Sequence, residues 1–311
     1  MARTLLIFFV FLIFFLLAFM LIILIVVIIR RKSRNRLGDY IEMEMIGKGG
    51  MSIIYRAKNR ILKRYVAVKV MDEIMMKDRD LVHKFLSEGR NIAIINKKYP
   101  DSPVVKVLEY SDHESDPPYF IAMEYLEGMS VLKKMKTNQK PDLYTRLHII
   151  KEVARALQAA HSLHIIHRDI APDNIIINGR TVTLIDFGIA KQEFSNYRTQ
   201  SGAIVGKPLY MSPEQCADQK ITSKSDIYSL GAVLFFLLEE KPMYDSRNPY
   251  EILKMHRDCN QPPEVTKPLP GDLKDFLKRM LDKDPRNRPD ATDVVKKMVF
   301  IMKTEELNKW Q

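Results

Sequence analysis

The chain has 311 residues, enough for one or two domains with a buried core, and its formal net charge is +11. This charge does not indicate nucleic-acid binding, because residues 1–38 contribute +6 and contain no acid, which leaves a mild +5 for the remainder. Cys216 and Cys259 are 43 residues apart and form no CxxC motif. That usage is typical of a reducing compartment and argues against a disulfide framework or a zinc site.

Residues 5–29 are 25 consecutive apolar residues without a charge, Gly or Pro. As a helix they would extend about 37 Å, enough to cross a bilayer with some tilt. A cleavable signal peptide is the alternative, but its apolar region is shorter, about 7–15 residues, and it ends at a small-residue site. The residues around Ile29 and Arg30 offer no such site. The pattern therefore predicts a retained transmembrane helix, with residues 1–4 as a stub beyond it.

Basic residues are unevenly distributed around this segment. One precedes it and five follow it, within the predicted juxtamembrane linker 30–38. The positive-inside bias places everything after residue 30 in the cytoplasm. We therefore expect a single-pass protein of the inner (plasma) membrane, and the basic linker could also attract anionic lipid.

Short alternating apolar runs follow, and they predict a β-rich region with one helix. The predicted strands are residues 41–46, 52–57, 65–70, 104–110 and 119–125, and the predicted helix is residues 81–95. A glycine-rich turn, Gly47-Lys48-Gly49-Gly50-Met51-Ser52, joins the first two strands. Its glycines would let backbone amides approach phosphate oxygens closely, although such a turn alone is more often a plain hairpin.

The second half of the chain is predicted to be mainly helical. A helix over residues 147–161 leads to the loop His167-Arg168-Asp169-Ile170-Ala171-Pro172-Asp173-Asn174. Asp169 could accept a hydroxyl proton, and Asn174 could hold a metal ion. Asp186-Phe187-Gly188 follows a second apolar run, where Asp186 could reach a second metal ion.

These two loops, in this order and spacing, resemble the catalytic loop and the D-F-G element of protein kinases. The resemblance covers about residues 39–300, and Met211-Ser212-Pro213-Glu214-Gln215 with the glycine turn resembles the bacterial Hanks-type Ser/Thr branch. It implies an α+β bilobal fold that follows the transmembrane helix in the chain. A five-stranded antiparallel sheet with one helix would form the N-terminal lobe (39–126), and a mainly helical C-terminal lobe (127–303) and a tail (304–311) would follow.

The resemblance also implies an ATP site between the lobes. Lys69 would pair with the α- and β-phosphates and with Glu88, while Ile54 and Ala67 would cap the adenine ring. Met123 would be the gatekeeper, and residues 124–126 the hinge. The expected nucleotide-binding residues are Ile46, Gly47, Lys48, Gly49, Gly50, Ser52, Ile54, Ala67, Lys69, Met123, Glu124, Leu126 and Ile176.

For catalysis, the resemblance implies Asp169 as the acceptor of the substrate hydroxyl proton. Asn174 and Asp186 would hold Mg²⁺, which Mn²⁺ could replace. His161, His164 and His167 are spaced as zinc ligands could be, but His161 and His167 are expected to be structural in this family. Structural roles are also implied for Asp226, below the catalytic loop, and for Arg288 paired with Glu214.

The candidate activation loop lies between Asp186 and Ser212. Its hydroxyl residues are Ser195, Tyr197, Thr199 and Ser201, and Thr199 with Ser201 resembles the twin phosphosites of bacterial Ser/Thr kinases. Arg168 could pair with a phosphate placed there. A homodimer that phosphorylates itself in trans is a further expectation.

Two substitutions depart from the family pattern. Ala171 replaces the usual lysine two residues after the catalytic Asp, and Lys207 replaces the threonine of the G-T-x-x-Y segment. Losing the lysine should cost rate, because that charge neutralises the transferring phosphoryl group. We hypothesise that Lys207 reaches back and supplies the charge as a catalytic residue; otherwise it is a solvated loop residue of a slow enzyme.

The sequence thus favours a membrane-anchored kinase that transfers the ATP γ-phosphoryl group to Ser or Thr hydroxyls of proteins. A nucleotide-binding pseudokinase scaffold is one alternative, supported by Ala171 and opposed by the presence of Lys69, Asp169, Asn174 and Asp186. A small-molecule kinase on the same fold is another, opposed by the Ser212-Pro213-Glu214 segment. The sequence identifies no protein substrate.

Overall fold

The computed structural model of the protein describes residues 19–20, 36–112, 117–187, 207–259 and 262–304. In these ranges we find no helix that is both long and apolar enough to cross a membrane. Apart from Phe19 and Met20, the apolar segment 5–29 lies outside the described residues. The transmembrane helix therefore stays a prediction.

The N-terminal lobe is built on one antiparallel sheet with the strand order β1-β2-β3-β4-β6-β5. Five of the strands were predicted, and their presence is confirmed. The sixth, β1, has two residues, too few to show an alternating pattern. The strands are β1 (Arg36–Leu37), β2 (Tyr40–Lys48), β3 (Ser52–Asn59), β4 (Arg64–Met71), β5 (Val107–Tyr110) and β6 (Phe120–Glu124).

The predicted strand 104–110 is wrong at its beginning, because β5 starts at Val107. Val104 forms a parallel bridge with Leu184, and the backbone N–H of Val105 donates to the Leu184 carbonyl at 3.0 Å. These residues join the C-terminal lobe instead of the sheet. Apolar residues occur on both sides of Lys106, so the pattern alone does not show where the chain changes partner.

The predicted helix 81–95 extends further in both directions, as α1 (Arg79–Lys98). Asp78 caps it by accepting hydrogen bonds from the N–H groups of Asp80 and Leu81. Gly89 lets the helix approach the sheet closely, because a Cβ there would lie 3.1 Å from Cγ1 of Ile121. Glu88, the neighbour of Gly89, is consequently carried to the sheet that bears Lys69.

The C-terminal lobe is mainly helical, as predicted. Its helices are α2 (Val131–Met135), α3 (Leu143–His161), α4 (Pro213–Cys216), α5 (Ser223–Glu239), α6 (Pro249–Asp258), α7 (Gly271–Met280) and α8 (Ala291–Thr304). Helix α5 is apolar and buried nearly all round, packing against α3 and α7, as expected for the central helix of a core. A small sheet faces the other lobe with the order β7 (Met129–Ser130), β8 (Ile175–Asn178) and β9 (Thr181–Leu184).

Candidate active site

Three charged side chains from three different elements meet between the lobes. Lys69 projects from the central strand β4, and its Nζ lies 2.7 Å from Oε1 of Glu88 on α1. The same Nζ lies 2.9 Å from Oδ1 of Asp186, which follows β9. Burial alone would lower the pKa of Lys69, but the carboxylates of Asp186 and Glu88 outweigh it and raise that pKa. The ammonium group is therefore charged and held between two carboxylates.

The catalytic loop is closed by hydrogen bonds within itself. The Nδ2 amide of Asn174 donates to the backbone carbonyl and to Oδ2 of Asp169, both at 2.8 Å. This pair turns Oδ1 of Asn174 away from Asp169. The backbone N–H of Ile185 donates to the Asn174 carbonyl at 2.9 Å, which ties the catalytic loop to the segment bearing Asp186.

Lys207, near the C-terminal end of the activation segment, contacts this loop. Its Nζ donates to Oδ1 of Asn174 at 2.8 Å, and it lies 2.6 Å from Oδ2 of Asp173 and 3.6 Å from Oδ2 of Asp169. The Lys207 side chain retains 24% of its exposure, so it remains accessible to solvent. A positive charge therefore lies beside the Asp169 carboxylate, although position 171 carries a buried alanine.

The catalytic loop is supported from below by Asp226, the fourth residue of α5. Its two carboxylate oxygens accept the backbone N–H groups of His167 at 2.9 Å and Arg168 at 2.8 Å. His161 Nε2 lies 2.8 Å from Oδ2. Burial raises the pKa of Asp226, but the hydrogen bond with His161 and the other contacts lower it below its usual range. These bonds hold Arg168 at a left-handed φ of 68°.

The other two histidines of the His161, His164 and His167 pattern lie in different environments. His167 is buried, its Nε2 lies 3.2 Å from the Ile185 carbonyl, and its ring packs on Phe187 with centroids 4.5 Å apart. Burial lowers the pKa of His167, which favours the neutral ring. His164 is an exposed turn residue with a φ of 57°. Within the described residues no group of three His, Cys, Asp or Glu side chains could hold a metal ion.

The nucleotide-binding residues implied by the sequence lie along β2, β3, β4, β6 and β8. Gly47 pairs with Ile54, and the turn is closed by the N–H of Gly49, which donates to the Ser52 carbonyl at 2.8 Å. Ala67 pairs with Met123 on the neighbouring strand. The Glu124 side chain is directed toward Lys106, because its Oε1 accepts the backbone N–H of Lys106 at 2.9 Å. Of the others, Ile46 and Lys48 belong to β2, Leu126 follows β6, Ile176 lies in β8, and Gly50 lies in the turn.

The donor set suits a magnesium–nucleotide complex. Mg²⁺ takes oxygen ligands and is usually bound by one or two protein side chains together with substrate phosphates and water. Asn174 and Asp186 offer an amide oxygen and a carboxylate on adjoining backbone segments. Lys69 beside Asp186 supplies the charge that a phosphate requires. Two protein ligands are sufficient for such a complex, so the residues present fit it once the Lys207 ammonium group moves off Oδ1 of Asn174.

The candidate phosphorylation sites Ser195, Tyr197, Thr199 and Ser201 lie outside the described residues, as does Gly188. The Nε atom of Arg168, the residue that could pair with a phosphate there, is buried without a hydrogen-bond partner in the part of the chain that the structure describes.

Glu214 and Arg288 form a buried ion pair, with distances of 2.7 and 3.0 Å between nitrogen and oxygen atoms. The Ser225 hydroxyl also donates to Glu214 at 2.6 Å. Burial raises the pKa of Glu214, but Arg288 lowers it overall. The pair fastens α4, and with it the end of the activation segment, to the core.

Two residues of the site escaped the sequence analysis. Asp173 forms the ion pair with Lys207, and the Nε2 amide of Gln215 donates to the Arg168 carbonyl at 2.9 Å. The signal for Asp173 was an acidic residue next to Asn174, the expected metal ligand, but a surface acid would look the same. Gln215 belongs to the segment Met211-Ser212-Pro213-Glu214-Gln215, and that motif alone assigns it no role.

Comparison with known proteins agrees with this geometry. Residues 40–300 match the model of the protein kinase domain family. The chain belongs to the protein kinase family. Members of that family use ATP and a divalent metal ion.

Two of the relatives are described as serine/threonine-protein kinases of bacteria. A protein of Clostridium acetobutylicum described as a "Probable serine/threonine-protein kinase" is 34% identical over 79% of this chain and 37% of its own length. The serine/threonine-protein kinase PrkC of Bacillus subtilis is 32% identical over 82% of this chain and 39% of its own. This chain thus spans about two fifths of the length of such relatives. The kinase domain of Mycobacterium tuberculosis PknI shares the fold, with a TM-score of 0.64 at 24% identity, covering 85% of this chain and 97% of that one.

Proposed function

We propose that this protein transfers the γ-phosphoryl group of ATP to Ser or Thr hydroxyls of proteins, its own activation loop included. The observation that carries the proposal is the position of Lys69 Nζ between Glu88 and Asp186, at 2.7 and 2.9 Å. A kinase requires this pairing in order to hold the phosphates of ATP beside the metal-binding Asp. The serine/threonine kinase relatives support the choice of acceptor.

Each residue of the site has a separate task in this proposal. Lys69 orients the α- and β-phosphates, and Glu88 holds Lys69 in place. Asn174 and Asp186 are the ligands for Mg²⁺, which neutralises the phosphate charge when it is bound. Asp169 accepts the proton of the attacking hydroxyl, and its hydrogen bond with Asn174 sets its orientation. Because little covalent chemistry is needed from the protein, positioning and charge provide most of the acceleration.

Lys207 takes the place of the lysine that is missing at position 171. Its ammonium group lies 3.6 Å from Oδ2 of Asp169, so it borders the point at which the substrate hydroxyl and the γ-phosphate must meet. A cation there stabilises the charge that develops on the transferring group. This assignment explains why Ala171 and Lys207 depart from the family pattern together.

The apolar segment 5–29 and the basic residues after it support a membrane anchor, with the kinase domain on the cytoplasmic side of the inner membrane of a bacterium. Flotation of the full chain with vesicles after an alkaline wash, which removes peripheral proteins, tests this. Deletion of residues 5–29 should abolish flotation. A wild-type chain that stays in the alkaline wash would disprove the anchor.

The activity is tested by phosphate incorporation into the full chain with Mg²⁺-ATP, beside the Asp169→Asn variant. We expect phosphate on Thr199 or Ser201 in the wild type and none in the variant. Phosphate on Tyr197 would contradict the Ser/Thr assignment. Nucleotide binding without incorporation, in vesicles as well as in detergent, would favour the pseudokinase scaffold instead.

A further inference from the structure

The turn between β3 and β4 carries an exposed apolar and basic surface that the catalytic site does not use. Ile61 and Leu62 retain 69% and 53% of their exposure. They are flanked by three basic residues, Arg60, Lys63 and Arg64, all exposed, and no acid occurs between residues 60 and 64. We refer to residues 60–64 as the basic-apolar turn. Single exposed apolar residues are common, but two adjacent ones at a tip, framed by cations, combine the features of an interaction surface.

The conformation of this turn is fixed by hydrogen bonds. Oδ1 of Asn59 accepts the backbone N–H groups of Ile61 at 3.0 Å and Leu62 at 2.8 Å. Lys63 adopts a left-handed φ of 52°, which closes the turn. The two apolar side chains therefore project from a rigid tip and lose little freedom when they bind.

The turn lies at the end of the sheet where the chain enters the kinase domain. Leu37 pairs with Tyr40, Tyr40 with Asn59, and Asn59 with Arg64, so these residues cross one end of the sheet side by side. Three strand spacings make this crossing about 14 Å wide. The N–H of Arg60 also donates to the Asp39 carbonyl at 2.9 Å, which joins the turn to the entering chain.

This end of the sheet is also the end that the proposed anchor holds close to the bilayer. Seven residues lead from Ile29 to Arg36, and even a fully extended chain of that length reaches only about 25 Å. The glycine-rich turn lies at the opposite end of the same strands, where Lys48 pairs with Ile53. The basic-apolar turn can therefore touch the membrane without covering the nucleotide cleft.

The charge of the turn selects the partner. Asp39 neutralises Arg60 with a 3.0 Å ion pair, but Lys63 and Arg64 form no ion pair in the portion of the chain that the structure describes. A second copy of the chain docked through the same face would bring like charges together, which is unfavourable. An anionic lipid surface offers both the negative charge and the apolar layer that the turn lacks.

We propose that the basic-apolar turn docks on the surface of an anionic bilayer. Ile61 and Leu62 enter the headgroup region, while Lys63 and Arg64 contact lipid phosphates. This inference rests on the proposed membrane anchor, and it fixes which end of the N-terminal lobe faces the membrane. The nucleotide cleft then opens away from the bilayer, toward substrates in the cytoplasm.

A tryptophan placed in the turn tests the contact in the full chain. Trp310, the single tryptophan, is first replaced by Phe, and Leu62→Trp is then introduced. The protein is reconstituted into vesicles of equal parts phosphatidylglycerol and brominated phosphatidylcholine, because bromine quenches indole that enters the lipid. We expect the tryptophan emission of the Leu62→Trp protein to shift to the blue and to be weaker than in the same vesicles without bromine. Ile74→Trp is the matched control, since Ile74 is 77% exposed beyond the opposite end of β4.

A charge-reversal pair separates lipid binding from tethering. Lys63→Glu with Arg64→Glu should relieve the quenching, and so should vesicles of brominated phosphatidylcholine alone. Lys77→Glu with Arg79→Glu, at the opposite end of the sheet, should leave it unchanged.

The outcomes distinguish this inference from the anchor. A chain that floats with the vesicles but shows no quenching of the Leu62→Trp emission would overturn the docking and leave the anchor standing. A chain that does not float would overturn both. Emission that is shielded from aqueous acrylamide in detergent and in vesicles alike, without quenching by bromine, would assign the turn to a protein contact and overturn the lipid proposal.

Discussion

The ammonium group of Lys207 lies 2.8 Å from Oδ1 of Asn174, although 33 positions separate the two residues in the chain. Asn174 is at the same time bonded to the carboxylate of Asp169 at 2.8 Å. A cation from the end of the activation segment is thus connected to the Asp169 carboxylate through the side-chain amide of Asn174.

The role of Lys207 predicts a large kinetic effect. Lys207→Ala should lower kcat by about 100-fold, because it removes a charge next to the transferring phosphoryl group. Lys220→Ala, on an exposed loop, is the control and should change little. Steady-state kinetics with a peptide substrate would measure both. Equal rates for the two variants would show that Lys207 is a solvated residue without a catalytic task.

Moving the lysine back to its family position gives a stricter test. Ala171→Lys combined with Lys207→Thr restores the usual arrangement, so it should recover most of the rate lost in Lys207→Thr alone. The measurement is kcat for the single and double variants, with melting temperatures as a check on folding. A folded double variant no faster than the single one would contradict the exchange of roles between these two positions.

The contact between Lys69 and Glu88 should matter for rate more than for folding. Glu88→Gln keeps the shape of the side chain but weakens its hold on Lys69, which would lean toward Asp186. A displacement of about 1 Å in a positioning group can cost about 100-fold in rate. We expect a loss of that order in kcat with little change in melting temperature. Glu73→Gln, on the exposed surface of the same lobe, is the control.

The buried ion pair between Arg288 and Glu214 should be a stability determinant. Arg288→Met leaves the Glu214 carboxylate buried without its partner, at a cost of about 3–5 kcal/mol in the free energy of unfolding. Adding Glu214→Gln should recover part of that loss. Arg286, 89% exposed and paired with Asp284 nearby, is the control, and Arg286→Met should cost at most about 1 kcal/mol. Denaturant unfolding compares them, and similar losses for both arginines would refute the argument.

His256 predicts a dependence of stability on pH. It is fully buried, its Nδ1 lies 3.0 Å from the Tyr228 hydroxyl, and burial together with the positive charge of Lys283 lowers its pKa to about 3. In the unfolded chain the ring titrates near its ordinary pKa of about 6.5. Below that pH the unfolded state binds a proton that the folded state does not. The free energy of unfolding should therefore fall as pH decreases from about 6.5 toward 3, by up to about 1.4 kcal/mol per pH unit.

The His256→Asn variant isolates this effect, because asparagine cannot take up the proton. We expect the wild type to lose stability more steeply than the variant between about pH 6.5 and pH 5, so that their free energies of unfolding converge. Parallel curves over that range would show that His256 protonates equally in both states.

Local pattern was sufficient for most elements of the fold. Strands β2, β3, β4 and β6 and helices α1 and α3 are visible as short-range periodicity in the chain, since each element buries one face more than the other. The boundaries were less well determined, as the late start of β5 shows. Val104 and Val105 pair with Leu184 and not with the sheet, and Leu184 is far from them in the sequence.

The sequence by itself suggested the charged residues of the candidate site, because the two loops, the strand lysine and the helix glutamate each resemble a short motif of protein kinases. It also determined the apolar segment and its charge bias, which need no folded partner. Only the tertiary structure decided that Lys207 contacts Asp173 and Asn174, and that the turn at residues 60–64 shares one end of the sheet with the entry of the chain. Such contacts depend on how separate elements pack together. The free energy of that packing is distributed over the whole core, so no local pattern of residues records it.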